Sequence, residues 1–500
     1  MTIAGGPATR SIAIPERVPT VLVVAQPFML SAAFVLQNLA NANATFADLW
    51  RPLVASQIVM AAVVGVLWLA LRRADIAALL AGAALAALAN YTLPAFVLIG
   101  VALWWALVTL LRRLRHERAE PLTGPTRIAV AFSLALFAVG VVSVVATYWP
   151  QPRERAALPA SSDQGTSPDI YVLLLDGYPR ADTLEEAFGI DNSPFLSGLS
   201  DLGFEVADEA RTNYNKTWLT VASLLDARYV NDLPEMQDAP PDPAEQMRMA
   251  HQMIEGGAVL DALEDLSYQV ISITSRATTT DVQSRADVRS TGGLTTFEIA
   301  LLSHSAIARV VPDPFLDFMA ADQRNGVYEQ LRLMTEVAGE DADRPRLVLT
   351  HVMAPHLPFV LGQDADYLDG CFPYCDLFTT PLELLDISEG EFGSRLKTQL
   401  DVLNAEVLDV LGSVVDADPN AIVIVMSDHG IRHHVENWDE HFDSLFAARS
   451  QIAGLFPDDV SPVNVFRRIL SRYFDADLPD LPYQAWRSDW NLPLVLTRHR

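Results

Sequence analysis

Six residues spread along the chain carry the side chains that metal-assisted phosphate chemistry needs: Asp176, Thr217, His351, His356, Asp428 and His429. Asp176 closes the apolar run Ile170-Tyr171-Val172-Leu173-Leu174-Leu175, His351 and His356 lie in "LVLTHVMAPH", and Asp428-His429 follow the unbroken apolar run from Ala421 to Met426. Singly, each has an ordinary explanation. An acid after a strand caps the next helix, and a lone histidine is a satisfied core residue or a loop residue. Gathered at the ends of separate strands, they fit a hard divalent ion, which takes carboxylates and imidazoles converging from rigid elements. Thr217, in "TNYNKTWLTVASLLD", begins an apolar-periodic helix, where a hydroxyl is a good N-cap. The same place suits chemistry, because open N–H groups and the positive end of the helix dipole favour a phosphate-like anion. A metal touching the hydroxyl oxygen brings an alkoxide nucleophile within reach of neutral pH. Thr220 and Ser223, further along the helix, read as packing residues.

These residues need a scaffold that brings strand ends together. Strands are expected at 170–175 and in "GFEVAD", "QVISIT", "RLVLTHV" and "AIVIVM". Between them, helices are expected around 192–202, Thr217 to Leu225, 258–265, 324–338 and 391–416. Apolar strands alternating with amphipathic helices specify an α/β fold, a mostly parallel sheet covered on both faces. In such sheets ligands collect at the carboxyl ends of the strands.

The first 150 residues are of another kind. Apolar stretches at about 20–40, 53–71, 75–90, 94–111 and 127–148 are mostly near the ~20 residues that cross a hydrocarbon core, the third being the shortest. Arg10 and Arg17, Arg72-Arg73, and the group Arg112, Arg113, Arg115, Arg118 and Arg127 mark alternate loops, which the positive-inside rule places in the cytoplasm. Five spans starting inside would deliver everything after the linker 150–168 to the outer face, giving a multi-pass membrane domain over 1–149 and an extracytoplasmic domain over 169–500. Ten arginines against five acids leave the first part at +5, so the rest carries −32 of the chain's net −27. So acidic a domain repels polyphosphate backbones, which argues against a nucleic-acid partner. Cys371 and Cys375, in "GCFPYC", suit a local disulfide in an oxidising compartment.

The segments "DIYVLLLDGY", "LSDLGFEVADEARTNYNKT", "HVMAPHLPF", "IVMSDHG" and "SPVNVFRRILSRYFDADLP" resemble, in this order, the membrane-associated sulfatase-like hydrolases and transferases of the alkaline phosphatase superfamily. The five-span first part resembles the architecture of lipoteichoic acid synthases and phosphoethanolamine transferases. The resemblance implies an α/β/α sandwich in which Asp176, Thr217, Asp428 and His429 bind one divalent ion (Zn, Mn or Mg), with Thr217 as the nucleophile. It also implies that His356 and His351 contact the transferred group or a second ion. In place of the Cys/Ser-x-Pro-x-Arg frame of true sulfatases stands "NKTWLTV", which favours phosphate over sulfate esters. His433, His434 and His441 in "IRHHVENWDEH" are further candidates for a second ion, or a solvated surface.

The expected function is a metal-dependent transferase or hydrolase of phosphate-containing esters at the outer membrane face, working through a covalent threonine on a lipid or cell-envelope glycan head group. The alternative from another class is a catalytically silent membrane protein whose outer domain binds envelope polymers or a partner.

Overall fold

The computed structural model describes residues 20–41, 44–88, 124–148, 158, 167–277, 279–303, 305, 313–362, 387–432, 437–489 and 492–499. The expected span at 94–111, Cys371 and Cys375, His433, His434 and nearly all of the linker lie outside these residues. The chain divides into two compact units. Met1–Asn41, Phe46–Trp149 and Leu301–Val310 make one, and Ala42–Thr45, Pro150–Ala300 and Val311–Arg500 make the other.

In the first unit, Val21–Ala40, Phe46–Leu71 and Arg127–Tyr148 are helical stretches of 20, 26 and 22 residues, long and apolar enough to cross a membrane. Ala74–Leu88, over the third expected span, is a shorter apolar helix. Their burial is inverted relative to a protein in water. Val54, Ile58, Val59, Val66 and Trp68 are exposed along one helix, while Gln26 is wholly buried and donates to Ser133 Oγ at 2.9 Å. A lipid solvent accounts for both, since it welcomes the apolar faces and forces polar groups to pair with one another.

The second unit is built on a mixed, mostly parallel sheet. In chain order its strands are β1 (Ile170–Leu175), β2 (Glu205–Val206), β3 (Gln269–Ile273), β4 (Asp287–Arg289), β5 (Arg346–Val352), β6 (Ile422–Ser427) and β7 (Phe446–Arg449), arranged β2-β7-β6-β1-β5-β3-β4. Pairing is parallel from β6 across to β4 and antiparallel at the β6–β7 and β7–β2 edge. A separate antiparallel hairpin joins β8 (Ala485–Ser488) to β9 (Leu496–His499).

The apolar runs of β1 and β6 are unbroken because both faces of the sheet are covered. Ile170, Val172 and Leu174 point into a core shared with the helices Thr217–Asp226, Ala258–Asp265 and Pro462–Tyr473. Tyr171, Leu173 and Leu175 point into the opposite core, against Ser193–Asp201, Asp313–Gly339 and Glu389–Ala417. The expected α/β sandwich is therefore present. The helix expected at 324–338 is longer, running Asp313–Gly339. Strands β4 and β7, the hairpin, and the helices Ala181–Phe188, Pro243–Glu255, Thr296–Ser303 and Pro462–Tyr473 were not among the expected elements.

For the site, register is what matters. Leu174 pairs with His351 on one side and Met426 on the other, and Leu175 with Val352 and Ser427. Three neighbouring parallel strands thus end level, which brings Asp176, His351 and Asp428 to one edge.

Candidate metal centre

At that edge, two carboxylates and three imidazoles share a small buried space. Asp176, Asp428, His351 and His429 are all buried. His429 Nε2 stands 3.3 Å from Asp176 Oδ1 and 3.4 Å from Asp428 Oδ2, and His351 Nε2 stands 3.4 Å from Asp176 Oδ2. The ligand atoms of Asp176, His356 and His429 lie within 4.8 Å of one another, as do those of Asp176, His351 and Asp428.

The rings share one arrangement. His429 Nδ1 donates to Gly430 O at 2.7 Å, and His356 Nδ1 donates to Leu357 O at 2.9 Å. The Thr280 hydroxyl donates to Ala277 O and so accepts from His351 Nδ1 at 3.1 Å. With Nδ1 engaged, His351 and His429 each present Nε2 inward, the outer-shell pattern that orients metal-binding histidines, whereas Nε2 of His356 meets Arg432. Asp176 Oδ1, Asp428 Oδ2, His351 Nε2 and His429 Nε2 make no hydrogen bond among the described residues although they are buried. Four such atoms facing one another are costly unless a cation joins them. The residues therefore fit a divalent ion.

The neighbouring backbone holds this arrangement. Gly177 N–H donates to Asp428 Oδ1 at 2.9 Å, and His356 N–H donates to Asp176 O at 3.0 Å. Gly177 has φ +69°, and a Cβ there would lie 3.1 Å from His429 Cε1. A side chain is disfavoured at this position both by backbone conformation and by the imidazole beside it. Gly430 N–H donates to His441 O at 2.9 Å, and a Cβ at Gly430 would press into the carbonyl oxygens of Glu440 and Asp443. Gly430→Ala is expected to lower stability by about 1–3 kcal/mol, the usual cost of overpacking. An unchanged melting temperature would refute this close packing.

Electrostatics follow from burial and the imidazoles. Burial pushes the Asp176 carboxyl up, but His356, His351 and His429 outweigh it and hold the group well below its ordinary value. Burial lowers His351, and the Asp176 carboxylate more than reverses that, leaving this ring raised. His356 goes the other way. Burial, helped by Arg432 and His429, prevails over Asp176 and brings it down to about 4, so its ring is neutral at pH 7.

Neutral His356 accepts from Arg432 Nη2 at 3.1 Å through Nε2, while Arg432 Nη1 donates to Asn215 O at 3.3 Å. Arg432 thereby ties the histidine loop to the segment that enters the Thr217–Asp226 helix. Thr217 is the first residue of that helix and is 8% exposed. Its hydroxyl is not the N-cap. Lys216 holds that position without a side-chain cap, and the Thr217 hydroxyl makes no hydrogen bond among the described residues. Thr220 Oγ1 and Ser223 Oγ donate to backbone carbonyls, as packing residues do.

The structure thus brings Asp176, His351, His356, Asp428 and His429 together, and Arg432 joins His356 to Asn215, two residues before Thr217. His441 is buried, its ring 4.9 Å from that of Trp438, and belongs to neither converging group. Sequence reasoning passed over Arg432 and Lys216. The signal for the first was its place three residues beyond Asp-His, and for the second its place beside Thr217.

No protein-family model matches the chain, and no curated protein matches it. Solved structures that align with it include an integral membrane protein, the lipooligosaccharide phosphoethanolamine transferase A of Neisseria meningitidis, at 13% identity over 98% of this chain and 89% of that one, with a TM-score of 0.43. The C-terminal periplasmic domain of EcEptC from Escherichia coli aligns at 13% identity over 69% of this chain and 97% of its own, with a TM-score of 0.40. A phosphonate monoester hydrolase from Silicibacter pomeroyi aligns at 14% identity over 63% of this chain and 74% of its own, with a TM-score of 0.40.

Proposed function

We propose that the second unit is a metal-dependent transferase or hydrolase of phosphate esters, working through a covalent intermediate on Thr217. In this reading the apolar helices cross the membrane with the N-terminus inside, and the site faces outward toward a lipid or envelope glycan head group. The observation that supports it is the convergence of Asp176, Asp428, His351 and His429 atoms that make no hydrogen bond among the described residues, with Arg432 joining His356 to the Asn215 carbonyl, two residues before Thr217.

Asp176, Asp428 and His429, with Thr217, would hold the ion, and His351 would face the second oxygen of Asp176. Ligands about 2.0–2.1 Å from a tetrahedral zinc lie about 3.3–3.4 Å apart, against about 2.9 Å for neighbours around an octahedral magnesium. Separations of 3.3 and 3.4 Å leave room for such a tetrahedral ion, and zinc is the ion to test first. When bound, the ion would supply Lewis-acid charge that lowers the pKa of the Thr217 hydroxyl and offsets the charge on the attacked ester.

The remaining steps belong to the chain. Thr217 Oγ forms a bond to phosphorus as the bond from phosphorus to the leaving oxygen breaks. The helix N-terminus offers N–H groups and its dipole to the non-bridging oxygens. Arg432, placed by Asn215 O and His356, offers a guanidinium to the developing charge. In the second half an acceptor hydroxyl, or water, attacks phosphorus, and Thr217 leaves as its hydroxyl is restored.

Stripping the protein with a chelator and restoring single metals tests this reading. Turnover of an aryl phosphodiester should vanish and return with zinc, and full turnover after complete stripping would contradict it. A pH dependence follows. Because a positive charge on His351 beside Asp176 competes with the cation, affinity should hold at alkaline pH and fall as pH drops through the raised His351 value. Without ion the sign reverses. Protonated His351 beside Asp176 stabilises the fold below the ordinary histidine pKa, and this contribution is lost as pH rises through the raised value. Thermal melts with and without chelator from pH 6 to 9 read both signs. His356, with its lowered value, gains stability as pH rises through the ordinary histidine range, so the comparison is with ion-free His351→Gln: if the natural chain loses no more stability above pH 7 than that variant, the His351–Asp176 pairing is contradicted.

A further inference from the structure

A second site lies in a cleft of about 690 Å³ whose wall includes Arg211, Asp439, Tyr483, Gln484, Thr497 and Arg498. That volume falls within the ~300–1,000 Å³ of small-molecule sites. The cleft is built from elements that also support the metal centre. Arg211 precedes the segment leading to Thr217, and Asp439 lies in the turn whose His441 carbonyl accepts Gly430 N–H. The β8–β9 hairpin is bonded to the same leading segment, with Trp486 N–H donating to Asn213 O at 2.9 Å and Ser488 N–H to Asn215 Oδ1 at 3.0 Å.

The walls are set in advance. His499 Nε2 stands 2.8 Å from Asp439 Oδ1, and its ring stacks on Phe442 at 5.1 Å. The Arg211 guanidinium lies 5.2 Å from the Tyr483 ring centre and is paired with Asp443 at 3.0 Å. Tyr483 OH donates to Thr212 O at 3.1 Å, which fixes the ring edge. Two features distinguish what would bind. Arg498 is exposed and forms no ion pair with any described residue, so a guanidinium stands ready for an anion in a domain that is otherwise strongly acidic. Beside it, Asp439 meets Arg211 at 3.4 Å and His499 through Oδ1, and its side chain is 71% exposed, so its remaining lone pairs accept from hydroxyl groups. Gln484 and Thr497 add groups that both donate and accept. A ligand rich in hydroxyls and carrying one negative substituent satisfies the whole set.

We infer that this cleft binds an anionic saccharide, a sugar chain bearing a carboxylate, and holds it beside the segment that carries Thr217. The role as a substrate subsite rests on the proposed function; the binding itself does not. The test is calorimetric titration of the full chain in detergent micelles with a panel of uronate-bearing tetrasaccharides, with maltotetraose, and with inorganic phosphate. At least one uronate-bearing member should bind saturably, and at least 10-fold more tightly than maltotetraose or phosphate. Arg498→Ala and Asp439→Asn should each weaken it about 10-fold or more, while Arg498→Ala leaves turnover of a small aryl phosphodiester unchanged. The inference is overturned if no member binds, if phosphate alone binds as tightly, or if Arg498→Ala binds like the natural chain. Thr217→Ala separates the two readings. Saccharide binding should survive in it, and if phosphodiester turnover survives as well, the cleft stands while the nucleophile assignment falls.

Discussion

Replacing Asp428 by asparagine is expected to empty the metal centre and lower phosphodiester turnover by about 10³-fold or more, the scale on which preorganised charge acts in such sites. The substitution keeps the shape of the side chain and its Oδ1, so Gly177 N–H retains its acceptor. What it removes is the charge on the oxygen that faces His429 Nε2. Loss of metal with an intact fold therefore separates a ligand from a structural residue. Asp428→Ala should lose metal too, and stability with it, because it leaves the buried Gly177 N–H without a partner at a cost of about 1–3 kcal/mol. Metal analysis and circular dichroism on both variants decide the matter. A full complement of metal and natural turnover in the asparagine variant would remove Asp428 from the site.

Replacing Thr217 by alanine is expected to lower turnover further, by roughly 10⁴–10⁶-fold, as loss of a nucleophile does. Metal content should fall far less, because two carboxylates and an imidazole remain. Thr217→Ser keeps a hydroxyl at the first position of the helix and should recover a measurable part of the rate. The fold gives little reason for either variant to unfold, since the Thr217 hydroxyl caps nothing and bonds to no described residue. If the alanine variant turns over at the natural rate, the helix N-terminus is serving some other purpose.

Much of the sheet was legible because burial on both faces leaves unbroken apolar runs. "YVLLL" and "IVIVM" read as buried strands, as they are, and their ends named Asp176 and Asp428-His429. The shorter strands β4 and β7 and the hairpin left no such mark. β4 is three residues with two charges, β7 reads Phe-Ala-Ala-Arg, and the hairpin strands carry Trp-Arg and Thr-Arg-His, all of which look like loop by composition. His351 shows how register carries information that local pattern does not. One strand neighbour opposite Leu174 sets its ring against Asp176. Thr217 had a sound local explanation as a cap, which the helix rejects by starting one residue earlier in its cap, at Lys216. Arg432 was illegible for a different reason. A guanidinium in a polar loop reads as solvated, and only the fold brings it to the Asn215 carbonyl and His356.

Peptide mass mapping reads the covalent step directly. The zinc-loaded chain, quenched in acid during turnover of an aryl phosphodiester, should carry the phosphoryl adduct on the peptide containing Thr217, and Thr217→Ala should carry none. An adduct at another residue, or its persistence at natural levels in Thr217→Ala, would contradict the assignment of Thr217 as the nucleophile.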